Sequence, residues 1–137
     1  MPFELVIVTP RSEAFRGQVD SVVLPGSEGE FGVLENHERF LSPLRRGEIE
    51  IKSGGSSRFA AVESGFARVE GGSVSVLVDA CALAEQIDVA HERAVAEAAE
   101  QALGSFAQSV EPAERAALEE ELAAARNRLA VAERRGA

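Results

Sequence analysis

The sequence predicts an N-terminal flattened β-sandwich of short strands followed by a C-terminal antiparallel α-helical hairpin. Three observations carry that prediction. Up to about residue 86, short β-branched or alternating runs are separated by Gly, Pro and Ser. From Asp88 onward Ala, Glu and Arg dominate, and apolar residues recur at 4-3-4 spacing. The run Leu24-Pro25-Gly26-Ser27-Glu28-Gly29-Glu30-Phe31-Gly32-Val33-Leu34 sets three glycines at every third position with two carboxylates between them. That spacing predicts several sharp turns and an exposed acidic tip on the β scaffold.

In chain order, Phe3 to Val8 is apolar and β-branched, and reads as the first strand. Val19 to Leu24 reads as a second, stopped by Pro25-Gly26. Gly47-Glu48-Ile49-Glu50-Ile51-Lys52 alternates strictly, as a half-buried strand does. Ser53-Gly54-Gly55-Ser56-Ser57 is a turn cluster. Arg58–Val62, Gly65–Val69 and Val74–Val78 are three further strands, the last two separated by Gly71-Gly72. Short strands punctuated at this rate predict a sandwich or flattened barrel.

Asp88 predicts a helix N-cap, since its carboxylate can accept from free N–H groups of the first turn. Val95, Ala99, Ala102 and Phe106 then form one stripe. Gly104 and Ser105 weaken the helix end, and Gln108-Ser109-Val110-Glu111 reads as a turn. Pro112 suits the first position of a second helix, where no N–H is needed. That helix carries Leu118, Leu122, Ala125, Leu129 and Ala132 on one stripe, with acidic residues early and arginines late, which complements the helix dipole. An alanine-rich seam buries little area per residue. Two readings of the hairpin therefore stand: permanently folded, or able to leave its resting place and extend. The expected division is a β unit over residues 1–86 and a helical unit over 87–137.

Composition removes several function classes. The chain has 137 residues, formal net charge −9, seven Phe, no Trp and no Tyr. Net negative charge argues against nucleic acid, whose phosphates need a basic face, and against direct adhesion to anionic lipid. It permits docking to a partner with basic groups. A single cysteine, Cys81, forms no intrachain disulfide, so a reducing compartment is expected. No apolar run reaches membrane-spanning length, and no signal-peptide pattern is visible at the N-terminus.

Catalytic and metal constellations are missing from the pattern. His37 and His91 lie in different halves, and neither belongs to a zinc-binding spacing. His37 reads as a surface residue of a turn. Cys81, among Val78, Ala80, Ala82 and Leu83, reads as a buried inert thiol. The glycine repeat lacks the Lys-Ser/Thr of a phosphate loop, and Glu28 and Glu30 would repel phosphate.

Taken in order, the run Val23–Leu34, then Asn36-His37, Leu44, Gly47-Glu48-Ile49, Ser64-Gly65-Phe66-Ala67-Arg68-Val69, Val74–Ala80, Ala84–Asp88 and Asn127–Glu133 resembles the epsilon subunit of bacterial and chloroplast F-type ATP synthase. The resemblance covers essentially the whole chain. It implies a sandwich of about ten strands and a helix pair in a non-catalytic rotor component. The implied partners are the gamma subunit, the c-ring and, transiently through the helices, the alpha and beta subunits. The implied location is the cytoplasmic face of the bacterial inner membrane, with membrane contact only through the complex. The residues implied to face the c-ring are Ser27, Glu28, Gly29, Glu30, Phe31 and His37. The chain departs from the family around His37: Leu34-Glu35-Asn36-His37-Glu38-Arg39 lacks both prolines usual there.

The helices are implied to inhibit ATP hydrolysis when raised toward the catalytic subunits. In some relatives the folded pair holds ATP through an Ile/Leu-Asp-x-x-Arg-Ala motif and arginines of the second helix. The corresponding residues here are Ile87, Asp88 and His91 at the start of the first helix and Arg128 on the second; the other second-helix arginine falls at Ala124, with Arg126 nearby. His91 stands where that motif has arginine and Glu92 where it has alanine, so no cofactor is expected and ATP binding is expected to be weak or absent. A free-standing β-sandwich binding module with a coiled-coil tail is the alternative reading.

Overall fold

The computed structural model describes residues 2–34, 39–105 and 111–134. Ten strands come first: β1 (Phe3–Val8), β2 (Glu13–Val19), β3 (Ser21–Gly26), β4 (Gly29–Val33), β5 (Phe40–Leu44), β6 (Gly47–Ser53), β7 (Ser56–Val62), β8 (Gly65–Glu70), β9 (Ser73–Val78) and β10 (Cys81–Leu83). A 3-10 turn over Ala84–Gln86 leads to α1 (Val89–Ser105) and α2 (Pro112–Ala132). This is the predicted sandwich with a helical hairpin behind it.

The strands run in the order β10-β7-β6-β3-β5-β8-β9-β1-β2, with β4 paired to β3. β3 meets β5 through the single pair Gly26↔Leu44, so the sheet folds there into two layers. One layer is β10-β7-β6-β3-β4; the other is β5-β8-β9-β1-β2. At the opposite corner Asp20 N donates to Lys52 O at 2.8 Å and Gly54 N to an Asp20 carboxylate oxygen at 2.9 Å. Leu5, Ile7, Val22, Leu24, Ile49, Ile51, Val74 and Val76 fill the space between the layers, each at most 2% exposed. Their period-2 phase is the alternation read from the sequence.

Several boundaries differ from expectation. The reading Val19–Leu24 spans the junction of β2 and β3, because Asp20 turns the chain at the sheet corner. The sequence pattern does not mark strands β2, β4, β5 and β10. The glycine run makes one tight turn at Ser27-Glu28 rather than several, with Gly26 opposite Gly29 at its base. Gly29 takes a positive φ of 136°, which favours glycine. Gly26 is needed for space: a Cβ there would lie 2.6 Å from the Gly29 carbonyl oxygen and 2.9 Å from the Phe31 ring.

The hairpin is folded and docked on the sandwich. Asp88 caps α1 as expected, with one carboxylate oxygen accepting from the His91 N–H at 3.1 Å. Pro112 opens α2. The seam between the helices holds Ala96, Ala99, Leu122 and Ala125, flanked by Val95, Leu103 and Leu129. On α1 the buried stripe is Glu92, Ala96, Ala99 rather than the expected Val95, Ala99, Ala102; Phe106 lies outside the described residues. The expected stripe is rotated because a buried carboxylate at position 92 does not register as apolar. On α2 the expected stripe is correct, with Leu122, Ala125 and Ala132 buried.

Candidate functional site

Two neighbouring surfaces of the sandwich are candidates for partner contact, and the first has no counterpart among the residues the sequence singles out. Val8 of β1 lies opposite Leu77 of β9, Leu77 opposite Phe66 of β8, and Phe66 opposite Pro43 of β5. Opposed residues share a face, so the four make one apolar row across four strands, on the outside of the sandwich. Phe66 is 53% and Leu77 54% exposed, and Leu41, two residues before Pro43, is 66% exposed. The row floors an open groove of about 640 Å³, walled by Thr9, Pro10, Ser64 and Asp79. A contiguous exposed apolar strip with a polar rim marks a protein contact surface more than a scatter of single residues does.

The row had a legible signal. In β8 the inward residues are Ala67 and Val69, which leaves Phe66, Arg68 and Glu70 outward. In β9 the inward residues are Val74, Val76 and Val78, which leaves Leu77 outward beside Ser73 and Ser75. A large apolar side chain in the polar phase of an alternating strand is the clue, and it points outward only once the layers are known.

The second surface is the acidic turn. Ser27, Glu28 and Glu30 are exposed at its tip. Phe31 is half-buried and packs edge-on to Phe40 with ring centroids 5.6 Å apart, so it supports the turn from beneath. The Ser27 N–H donates to the Pro43 carbonyl at 3.1 Å and the Arg45 N–H to the Pro25 carbonyl at 2.9 Å, which ties the turn to β5. Pro43 therefore ends the apolar row and borders the acidic turn, and the two surfaces are continuous. His37 lies outside the described residues.

The structure separates the helical candidates from these surfaces and gives most of them structural work. Ile87 is buried against the sandwich, 6% exposed. Asp88 is the cap already described, and His91 is exposed. Arg126 pairs with Glu100 at 3.1 Å. Arg128 donates from Nε to Glu92 Oε2 at 2.6 Å across the two helices, and that carboxylate is 12% exposed. Arg134 sits 3.7 Å from Glu48 and lies over the Phe59 ring, 4.6 Å from its centroid. Each of these three arginines makes an ion pair, and Arg126 and Arg134 remain largely exposed to solvent, at 61% and 48%; Arg135 lies outside the described residues.

Burial raises the Glu48 carboxyl above its ordinary value against the opposing pull of Arg134, with Glu50 and Glu30 adding to the rise. Burial likewise pushes the half-buried Cys81 thiol up to about 11, which suppresses the reactive thiolate. Among the described residues no group of three or more His, Cys, Asp or Glu is placed to hold a metal ion. Among the same residues no helix is long and apolar enough to cross a membrane.

Comparison with known proteins follows the same lines. Residues 2–84 match the family described as ATP synthase, Delta/Epsilon chain, beta-sandwich domain. The chain is 42% identical over 125 residues to the ATP synthase epsilon chain of Nitratidesulfovibrio vulgaris strain DP4, covering 90% of this chain and 93% of that one. It is 42% identical over 92 residues to that of Leptospira borgpetersenii serovar Hardjo-bovis, covering 66% of this chain and 72% of that one. In structure it resembles a chain of the Euglena gracilis mitochondrial ATP synthase OSCP/F1/c-ring assembly, with TM-score 0.73, 26% identity, and coverage of 88% and 75%. A chain of the Tetrahymena thermophila central stalk and c-ring shares the fold, with TM-score 0.60, 15% identity, and coverage of 94% and 95%.

Proposed function

The chain belongs to the ATP synthase epsilon-chain family, and on that premise we propose that it couples rotation of the c-ring to the catalytic head by clamping the gamma subunit. It is a rotor-stalk subunit of the F-type ATP synthase and has no catalytic step of its own. It reaches the membrane through the complex, on the cytoplasmic face of the bacterial inner membrane.

The single observation that carries the reading is the exposed row Val8, Leu77, Phe66 and Pro43. A passive coupler needs a stiff platform and a broad, dry contact. Four hydrogen-bonded strands supply the stiffness, and outward Phe and Leu side chains supply desolvated anchors of the kind that dominate interface energy. The gamma subunit occupies this row. The acidic turn at Ser27, Glu28 and Glu30, reached at Pro43, faces the polar loops of the c-ring, where carboxylates meet basic side chains and fix register.

Capture by immobilised gamma tests the reading. The full chain should be retained, and Phe66→Glu or Leu77→Glu should lower affinity about tenfold or more, since each buries a charge in the contact. Both positions are solvent-exposed in the free chain, so the variants fold. Retention of both variants at undiminished affinity would place gamma elsewhere and remove the proposal.

A further inference from the structure

We propose that Asp79 is the specificity-determining residue of the apolar row, and that it takes a lysine or arginine of the gamma subunit as the groove is covered. The inference rests on the preceding reading, in which gamma occupies the row. It adds the chemistry that gamma must present beside its apolar contacts.

The charges of the β5-β8-β9-β1-β2 layer are already paired with one another. Its strands carry Glu4, Glu13, Arg16, Arg68 and Glu70. Arg16 pairs with Glu13 at 2.6 Å and with Glu4 at 3.5 Å, and Arg68 pairs with Glu70 at 3.3 Å. Beyond the strand ends, Glu63 accepts from Arg46 Nε at 2.8 Å, and the same guanidinium reaches Glu120 of α2. Asp79 differs. It is exposed, and among the described residues its carboxylate makes no hydrogen bond or ion pair.

Asp79 is also the one charged residue, among the described residues, that lines the groove above the row. Arg11 and Arg45 are exposed in adjoining loops and do not line it. The Thr9 hydroxyl on the rim is used by its own turn: it donates to the Ser12 carbonyl at 3.2 Å and accepts from the Ser12 N–H at 3.2 Å. The backbone at Asp79 is fixed from both sides. Its N–H donates to the Ser64 carbonyl at 3.2 Å, and the Glu63 N–H donates to the Ala80 carbonyl at 3.1 Å, which carries the β8–β9 pairing past the strand ends. Val78 points inward and is 4% exposed. Leu77 and Asp79 therefore share the outer face, with Asp79 about 7 Å farther along the strand direction.

A partner that covers Phe66 and Leu77 takes water away from the groove and from the carboxylate on its rim. An unpaired carboxylate loses its hydration there with nothing in return, which is strongly unfavourable. Lysine and arginine fit the place: the aliphatic stem lies on the apolar floor and the charged head meets Asp79. The paired charges of the same layer give a partner little net pull. Asp79 thus discriminates against any apolar surface that is neutral or acidic at this point.

Binding of the full chain to immobilised gamma tests this, with Asp79→Asn, Asp79→Lys and Phe66→Glu compared. The Asp79 carboxylate has no internal partner, so both Asp79 variants fold. At about 50 mM sodium chloride Asp79→Asn should lower affinity about threefold to tenfold, and Asp79→Lys about tenfold or more. At about 500 mM the Asn variant and the unaltered chain should agree within about twofold, since salt screens the pair that only one of them makes. Among gamma variants with single Lys→Glu or Arg→Glu exchanges, one should restore capture of Asp79→Lys while weakening capture of the unaltered chain. If Phe66→Glu weakens capture but Asp79→Asn binds like the unaltered chain at low salt, or no gamma exchange restores Asp79→Lys, this inference falls and the row remains the gamma site. If Phe66→Glu also binds undiminished, the preceding reading falls with it.

Discussion

A methyl group at Gly65 would sit 1.9 Å from the Leu77 carbonyl oxygen and 2.7 Å from the Val78 Cα. Both are backbone atoms of the neighbouring strand, so no side chain can swing away to admit it. Gly65 thus permits the close β8–β9 approach that sets Phe66 beside Leu77. Gly65→Ala should destabilise the fold by roughly 2–4 kcal/mol, measured by thermal or urea unfolding, and should weaken gamma capture even though no contact residue has changed. Cys81 offers a second test at this scale. With its thiol pushed up to about 11 by burial, alkylation near pH 8 should run at least about a hundredfold slower in the folded chain than in urea. Equal rates would mean that the site is open. The sequence placed an inert thiol among apolar neighbours, and half-burial in β10 supplies the cause.

At the scale of elements, the seam of the hairpin depends on a charged residue that a search for apolar period passes over. Glu92 is buried and paired with Arg128 at 2.6 Å. Removing one partner of such a pair strands the other, so Glu92→Ala should lower hairpin stability by about 1–3 kcal/mol. Helical circular dichroism should then melt at lower temperature while the β signal holds. The pair bears on nucleotide binding too. The arginine that the family resemblance assigns to phosphate is already engaged by a carboxylate of the same chain. Calorimetric titration of the unaltered protein should show no saturable ATP heat up to about 1 mM; micromolar binding would show that Glu92 gives up Arg128 to phosphate. Strand legibility followed the same physics. β6 and β9 alternate and are legible directly. β2 and β5 are not, because β2 is an edge strand with charged residues and β5 carries Pro43 on its outward face. The four successive apolar residues Phe59-Ala60-Ala61-Val62 in β7 signal burial on both faces. Ala60 and Val62 do point into the sandwich, and Phe59 and Ala61 lie under the hairpin.

For the whole molecule, the two layers divide the labour. The β5-β8-β9-β1 layer carries the apolar row, and the β10-β7-β6 layer carries the hairpin. A chain ending at Asp88 should therefore keep its affinity for gamma within about threefold, because among the described residues the hairpin docks on β6, β7 and the 3-10 turn while the row lies on β1, β9, β8 and β5. It should also raise ATP hydrolysis by membranes that carry the complex, if the helices act as a brake. An unchanged hydrolysis rate would leave the hairpin without an inhibitory role, and loss of gamma capture would move the docking surface out of the β half.

Sequence alone determined what is written in local period and punctuation: a strand-rich half, a helical half, the cap at Asp88, the proline start at 112 and the acidic turn. Each depends on residues near one another in the chain, whose spacing fixes the backbone. Only the tertiary structure decided which outward residues form a continuous row, which arginines are already engaged, and that α2 separates α1 from the sandwich. Those facts depend on groups far apart in sequence. Val8 meets Leu77, and Arg46 meets Glu120, only because two layers and two helices close upon one another.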